Sequence, residues 1–130
     1  ELDSVPLLAR ISFMILSIFI FLYGTVSAQQ GSADIDLEKY LNKNVEYCDH
    51  VHGTYVTQGK NKVVLLNLGA KYPDHRLVVA IFESDWKNFK YEPAEHLNNK
   101  DICVKGKLIL YKGKPEIIVK NPDQISIKTN

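Results

Sequence analysis

The sequence predicts an all-β fold, and three stretches carry that prediction. Apart from Gly106, one parity of the chain from 102 to 110 is apolar, the period of a half-buried strand whose core-facing members would be Ile102, Val104, Leu108 and Leu110. Lys112-Gly113 predicts a two-residue turn, after which a second strand returns over Glu116–Lys120. A third strand, Arg76–Glu83, is apolar on both faces, which is typical of a central position in a sheet.

Glycine and proline mark the limits of the last two strands. Gly106 interrupts the first of them, which predicts a β-bulge or a sharp coil at that position. Pro115 opens the returning strand, and Asn121-Pro122-Asp123 ends it. The hairpin is therefore bounded on both sides by residues that do not continue a strand.

The remaining elements follow from local patterns along the chain. A short helix is expected over Asp36–Asn42, with Asp34 or Asp36 as its cap. Ser126–Lys128 is expected to add an edge strand at the other end of the chain. Two further strands and one short helix complete the domain: Val45–Thr57, Lys62–Leu68 and Trp86–Phe89.

The order strand-strand-strand-helix-strand-strand resembles the OB fold of small exported bacterial domains. The resemblance covers residues 36–127 and rests on three runs of sequence: VEYCDHV, LNLGAKYPDHRLVVAIF and ICVKGKLILYKGKPEIIVKNPDQI. It implies a five-stranded Greek-key barrel over residues 36–128, with a short helix between the third and fourth strands and a short N-terminal helix. Such domains are usually described as nucleic-acid-binding, so the resemblance also implies single-stranded DNA or RNA as a partner.

The N-terminal segment has the pattern of a secretory signal peptide. An apolar run, Ile11–Tyr23, follows Arg10, and Val26-Ser27-Ala28 is the small-x-small pattern that signal peptidase cuts. We expect residues 1–28 to be removed, residues 29–35 to be disordered, and the mature protein to be periplasmic or secreted without stable membrane association. A retained membrane anchor is the alternative, although the apolar run is short for a full span.

Net charge does not identify a partner. The chain carries 16 basic and 15 acidic residues, and without residues 1–28 the balance is 15 to 13. A net charge of this size does not by itself indicate nucleic acid. The distribution is more informative, because residues 100–120 hold six lysines against Asp101 and Glu116.

Two loops are expected to rim the binding face. In OB folds the loops that join strands 1–2 and 4–5 flank the ligand, where lysines track phosphates and aromatic rings stack on bases. The predicted nucleic-acid-binding residues are Tyr55, Lys60, Lys62, Lys105, Lys107, Tyr111, Lys112 and Lys114. The alternative is that these lysines are solvated hairpin tips and that the tyrosines are ordinary strand residues.

Other aromatic residues divide between core and surface. Trp86 and Phe89 have the apolar bulk that a helix at the bottom of a barrel needs, so core packing is expected of both. Tyr72 lies in a loop and is freer to contact a ligand.

The two cysteines predict one disulfide. An even count in an exported protein indicates a bridge. In the OB fold the first and fourth strands are antiparallel neighbours, and strand parity directs both Cys48 and Cys103 away from the core, so their sulfurs would meet on the outer surface. The alternative is a pair of free thiols, one or both buried against the helix.

Catalytic and metal-binding patterns are weak. His50 and His52 share one face of a strand and would supply two metal ligands, but no third is identifiable. A nuclease of the OB type needs paired carboxylates and arginines, whereas Arg76 is the single arginine after residue 28. We therefore expect a non-enzymatic binding module with no cofactor and no metal. The alternative function is a periplasmic binding or accessory protein whose ligand is a protein, an oligosaccharide or a small cation.

Overall fold

The computed structural model describes residues 36–129, which form an all-β domain with a few short helices. The strands are β1 (Asn44–Val56), β2 (Val63–Leu68), β3 (Leu77–Phe82), β4 (Asp101–Tyr111), β5 (Lys114–Ile118) and β6 (Ile125–Ile127). One α-helix, α1, covers Pro93–His96, and 3-10 helices cover Leu37–Tyr40, Glu83–Asn88 and Pro122–Gln124. None of these helices has the length and apolar character that a membrane crossing requires. The expected signal peptide and the 29–35 segment lie outside the described residues.

Five of the strands form a closed ring of pairings. Neighbours follow the order β1-β2-β3-β5-β4, and β4 pairs with β1 to close the ring. The β3–β5 pairing is parallel, and the others in the ring are antiparallel. The short strand β6 pairs with the first part of β4, at the edge where Ser126–Lys128 was expected. The expected central position of the third strand is confirmed, since β3 lies between β2 and β5.

The core fills the inside of this ring. Its fully buried side chains come from every strand of the ring and include Val51, Leu66, Leu77, Ile102, Leu108 and Ile117. The prediction for Leu110 was wrong, because its side chain is 49% exposed. β4 is paired with β1 only up to Lys107, and past Leu108 it pairs with β5 alone. Leu110 therefore lies beyond the part of β4 that is closed against β1, and its side chain is open to solvent.

Short helices support the core between β3 and β4, as expected. Trp86 is partly buried in the first of them, and its indole Nε1 donates a hydrogen bond to the Ile81 carbonyl at 3.0 Å. Phe89 follows this helix and belongs to the core. At the N-terminal helix, Asp36 is the cap, since its carboxylate accepts a hydrogen bond from the Glu38 N–H.

Gly106 is required for close packing and does not form a bulge. The β1–β4 register runs through the Val45–Gly106 pair without a shift, so the predicted bulge is absent there. A Cβ at position 106 would lie 2.6 Å from Ile117 Cγ2, which leaves no room for a side chain. The register shift of the β1–β2 pair lies instead between Val51 and Gly53.

The β4–β5 hairpin has the predicted two-residue turn. Lys112 has φ 49° and Gly113 has φ 76°, the pair of positive values that defines a type I′ turn. Glycine accepts this conformation without strain, whereas lysine adopts it less readily. The turn projects Lys112 from the end of the hairpin.

A disulfide joins β1 to β4 at the centre of their pairing. Cys48 and Cys103 are directly opposite partners, with Cα atoms 4.0 Å apart, and the bridge predicted from parity is confirmed. Tyr47 next to Cys48 points into the core, while Cys48 is exposed. Cys103 is only 7% exposed, so the expectation that both cysteines lie on the outer surface holds for Cys48 alone. The bridge therefore links two neighbouring strands from outside the core.

The packing at Gly106 predicts an asymmetric effect of alanine substitution. Gly106→Ala should lower the free energy of unfolding by roughly 1–3 kcal/mol, because the new methyl group overlaps Ile117. Gly53→Ala is the matched control, since a Cβ there meets nothing within 4 Å. Urea unfolding followed by circular dichroism measures both variants. Equal stability of the two variants would contradict the close packing of Gly106 against Ile117.

The disulfide predicts that unfolded, non-reduced protein has no titratable thiol. Replacing Cys48 and Cys103 together by serine should destabilise the domain by up to about 4 kcal/mol, because the bridge closes a loop with a sequence separation of 55. Thiol titration and thermal unfolding are the two measurements. Two reactive thiols per chain would refute the bridge.

Candidate functional site

A groove crosses the outer face of the sheet where β1, β2, β3 and β5 lie side by side. It consists of two hollows of about 650 Å³ and about 460 Å³ that share Leu65 and Tyr72 as lining residues. Leu65 and Val78 have the parity opposite to the core-cluster residues of β2 and β3, and both line the groove. The outer face of the ring thus carries an open groove that is separate from the core inside the ring.

Three exposed tyrosines surround this groove. The exposed fractions are 55% for Tyr55, 76% for Tyr72 and 59% for Tyr111. Tyr55 pairs with Leu65 across the β1–β2 ladder and lines the first hollow, whereas Tyr111 lines the second. Tyr72 lines both hollows, and its ring stacks on His75 with centroids 5.7 Å apart. Tyr55 and Tyr111, both predicted to bind nucleic acid, therefore line one groove. Tyr72 lies where the two hollows of this groove meet.

Three lysines line the same groove. Lys71 borders the first hollow, and Lys112 and Lys114 border the second. Lys114 Nζ donates a hydrogen bond to the Pro73 carbonyl at 3.1 Å, so it ties the β2–β3 loop to the β4–β5 hairpin. Lys112 Nζ lies 5.5 Å from the centre of the Tyr111 ring. This places positive charge beside two of the three exposed rings.

The lysines of the β1–β2 turn lie apart from these three. Lys60 and Lys62 are exposed, and the turn is fixed against the 3-10 helix that follows β3. The Lys62 N–H donates to the Glu83 carboxylate at 3.0 Å, and the Glu83 N–H donates to the Lys62 carbonyl at 2.8 Å. The β1–β2 turn thus lies at the C-terminal end of β3, whereas the loop that carries Tyr72 leads into the N-terminal end of β3.

Lys105 and Lys107 lie on the part of β4 that pairs with β1. They stand opposite Glu46 and Asn44, and Lys105 Nζ forms an ion pair with Glu46 at 3.7 Å. Lys112 and Lys114 lie beyond the end of β4, in the hairpin turn and on β5, whereas Lys105 and Lys107 lie where β4 pairs with β1. The predicted basic residues are therefore divided among at least two surfaces.

The floor of the second hollow contains two buried polar side chains that the sequence analysis missed. His75 is 6% exposed and Glu116 is 7% exposed. Burial, reinforced by Lys114, lowers the pKa of His75, and burial raises the pKa of the Glu116 carboxyl. His75 Nδ1 has no hydrogen-bond partner within the described residues. A charged residue inside the apolar run Pro115–Val119 was the available signal for Glu116.

Arg76 is exposed and belongs to a cluster with Tyr47 and Asp49. The Tyr47 hydroxyl donates to the Asp49 carboxylate at 2.6 Å, and burial together with this carboxylate raises the pKa of Tyr47 well above its ordinary value. A Cβ at Gly69 would lie 3.0 Å from both the Arg76 side chain and Asp49. These close approaches indicate a packing role for the cluster where β2 and β3 meet β1.

His50 links β1 to the start of β4. Its Nδ1 lies 2.7 Å from an Asp101 carboxylate oxygen, and its Nε2 lies 2.9 Å from the Asn99 amide oxygen. These hydrogen bonds raise the pKa of His50, Asp101 contributing most. The His52 ring is 4.8 Å away, but metal binding by His50 would first require one of these two bonds to break. Glu46 lies near the sulfurs of Cys48 and Cys103. Because these sulfurs form a disulfide, they are not available as thiolate ligands for a metal.

Comparison with known proteins adds no assignment to this geometry. No protein-family model, curated protein or solved structure matches the chain. The function is therefore argued from the groove itself.

Proposed function

We propose that this domain is an exported, non-enzymatic OB-fold module that binds single-stranded nucleic acid across the groove. The observation that carries the proposal is the grouping of Tyr55, Tyr72 and Tyr111 with three lysines around one concave sheet face. Exposed aromatic rings stack on bases of any sequence, and lysines contact the phosphates between them. The groove combines both functions within one surface.

The strand order supports the OB assignment. A meander of three antiparallel strands is followed by helices and then by a hairpin whose second strand lies parallel to β3. Closure by β1 and β4 is the arrangement expected of a small Greek-key barrel. In that fold the face of strands 2 and 3 binds oligonucleotides or oligosaccharides, which is where Leu65 and Val78 lie here.

Charge favours a nucleic acid over a neutral oligosaccharide. Lys71, Lys112 and Lys114 line the groove, and a sugar chain without charge would leave all three without an anionic partner. Protein and oligosaccharide ligands nevertheless remain the alternatives that a binding experiment must compare.

Export is supported by the disulfide. Structural disulfides persist mainly outside the reducing cytosol, and Cys48–Cys103 is a bridge on the outer side of the sheet. Together with the expected signal peptide at 1–28, this supports a periplasmic or secreted location.

The groove predicts a shallow salt dependence. Three lysine contacts to a single strand give a slope of log K against log salt of about −2, whereas all seven lysines named at the groove and in the sequence prediction would give about −5. Fluorescence anisotropy with a labelled oligo-dT over a salt series measures the slope. Lys112→Ala with Lys114→Ala should reduce its magnitude to below about 1, and Lys105→Ala with Lys107→Ala is the matched control that should leave it unchanged.

Tyr72→Ala gives an independent measurement in the same assay. Since Tyr72 is 76% exposed, its removal should weaken binding by roughly 1–3 kcal/mol with little effect on thermal unfolding. Absence of binding at micromolar protein in low salt would refute the proposed function. A slope near −5 that falls to about −3.5 with the Lys105 and Lys107 changes would place the ligand on more than the groove.

A further inference from the structure

Glu116 is a buried carboxylate that the protein leaves without a partner. It is 7% exposed, and no hydrogen bond or ion pair joins it to another residue of 36–129. Its ladder neighbours are Val78 on β3 and Ile109 on β4, which offer no side-chain donor. Its carboxylate oxygens are not among the buried polar atoms that lack a partner, so they keep contact with the hollow that Glu116 lines and are open to a ligand there.

The nearest cationic side chain on the same strand does not neutralise it. Lys114 precedes Glu116 by two residues and therefore lies on the same face of β5. Its Nζ is instead hydrogen-bonded to the Pro73 carbonyl. His75 lines the same hollow, but burial and Lys114 lower its pKa, which favours the neutral ring. The carboxylate thus lines the hollow without an ion pair to Lys114 or His75.

We propose that Glu116 reads the edge of one nucleobase, and that the base it selects is guanine. The inference rests on the proposed function, because it needs a base held in the second hollow beside Tyr72 and Tyr111. A carboxylate only accepts hydrogen bonds, and its two oxygens match two adjacent N–H donors. Guanine presents such a pair at N1 and N2. On the Watson–Crick edges of the other bases each donor is next to an acceptor, which the second carboxylate oxygen would repel.

The surrounding charges favour a base over a cationic peptide. An arginine guanidinium would also fit a carboxylate, but Lys112 and Lys114 line the same hollow and Lys71 lines the adjoining one. These lysines repel a basic segment and attract the phosphates that flank a base. Glu116 then contributes selectivity, and the lysines and tyrosines contribute affinity that is independent of sequence.

Four labelled heptamers test the inference. Each is dT3-X-dT3, with X as guanine, adenine, cytosine or thymine, which avoids runs of guanine. Anisotropy at low salt should give tighter binding of the guanine heptamer by roughly tenfold. Glu116→Gln should abolish this preference, because the amide replaces one acceptor by a donor. Glu46→Gln is the matched control: it removes the same charge at the Lys105 ion pair, away from the groove, and should keep the preference.

The outcomes separate this inference from the proposed function. Equal binding of all four heptamers would overturn base reading by Glu116 and leave a non-selective nucleic-acid module. A guanine preference that survives Glu116→Gln would also overturn it. Binding of an arginine-rich heptapeptide with no binding of any heptamer would overturn both proposals. Thermal unfolding verifies that the variants fold, and if Glu116→Gln does not fold, the comparison of wild-type heptamers still decides, since equal affinities refute the inference.

Discussion

The pairing of β1 with β4 is the constraint on which the rest of the structure depends. Without it the sheet would have two open edges and the inner faces of its strands would lack cover. Seven residue pairs, from Asn44–Lys107 to His50–Asp101, make this closure, and the disulfide lies among them. Near one end Gly106 lets β5 approach through Ile117, and at the other His50 binds Asp101. Closure also fixes the β2–β3 loop and the β4–β5 hairpin beside the outer face of β2 and β3, where both line the groove.

The strands, the hairpin and the disulfide could be predicted from sequence because each depends on local pattern. Alternation of apolar residues gave the strands, and Lys112-Gly113 gave the turn. The pairing of Cys48 with Cys103 also needed a neighbour relation between distant strands, which the OB resemblance supplied. The absence of a bulge at Gly106 and the exposure of Leu110 share one cause. Both depend on where β4 exchanges one partner strand for another, and the alternation within β4 does not show that point.

The groove could be predicted only in part. The burial of a side chain and the surface on which each lysine lies are properties of the folded chain. Six lysines between residues 100 and 120 suggested one basic surface, yet Lys105 contacts Glu46 whereas Lys114 contacts Pro73. Glu116 becomes buried through the parallel β3–β5 pairing, which brings it opposite Val78. No periodicity near position 116 reveals that contact. Tyr72, by contrast, was recognised as a loop residue free to contact a ligand, and it lies where the two hollows meet.

The position of the disulfide also determines how the chain responds to a protease. The bridge encloses β2, β3 and the two helices that follow β3 in a covalent loop between residues 48 and 103. Tyr72, which is 76% exposed, lies in the β2–β3 loop within this covalent loop. A single backbone cut there would leave both fragments tethered through sulfur and still paired across β1 and β4. The domain can therefore lose one peptide bond in this exposed loop and remain one molecule.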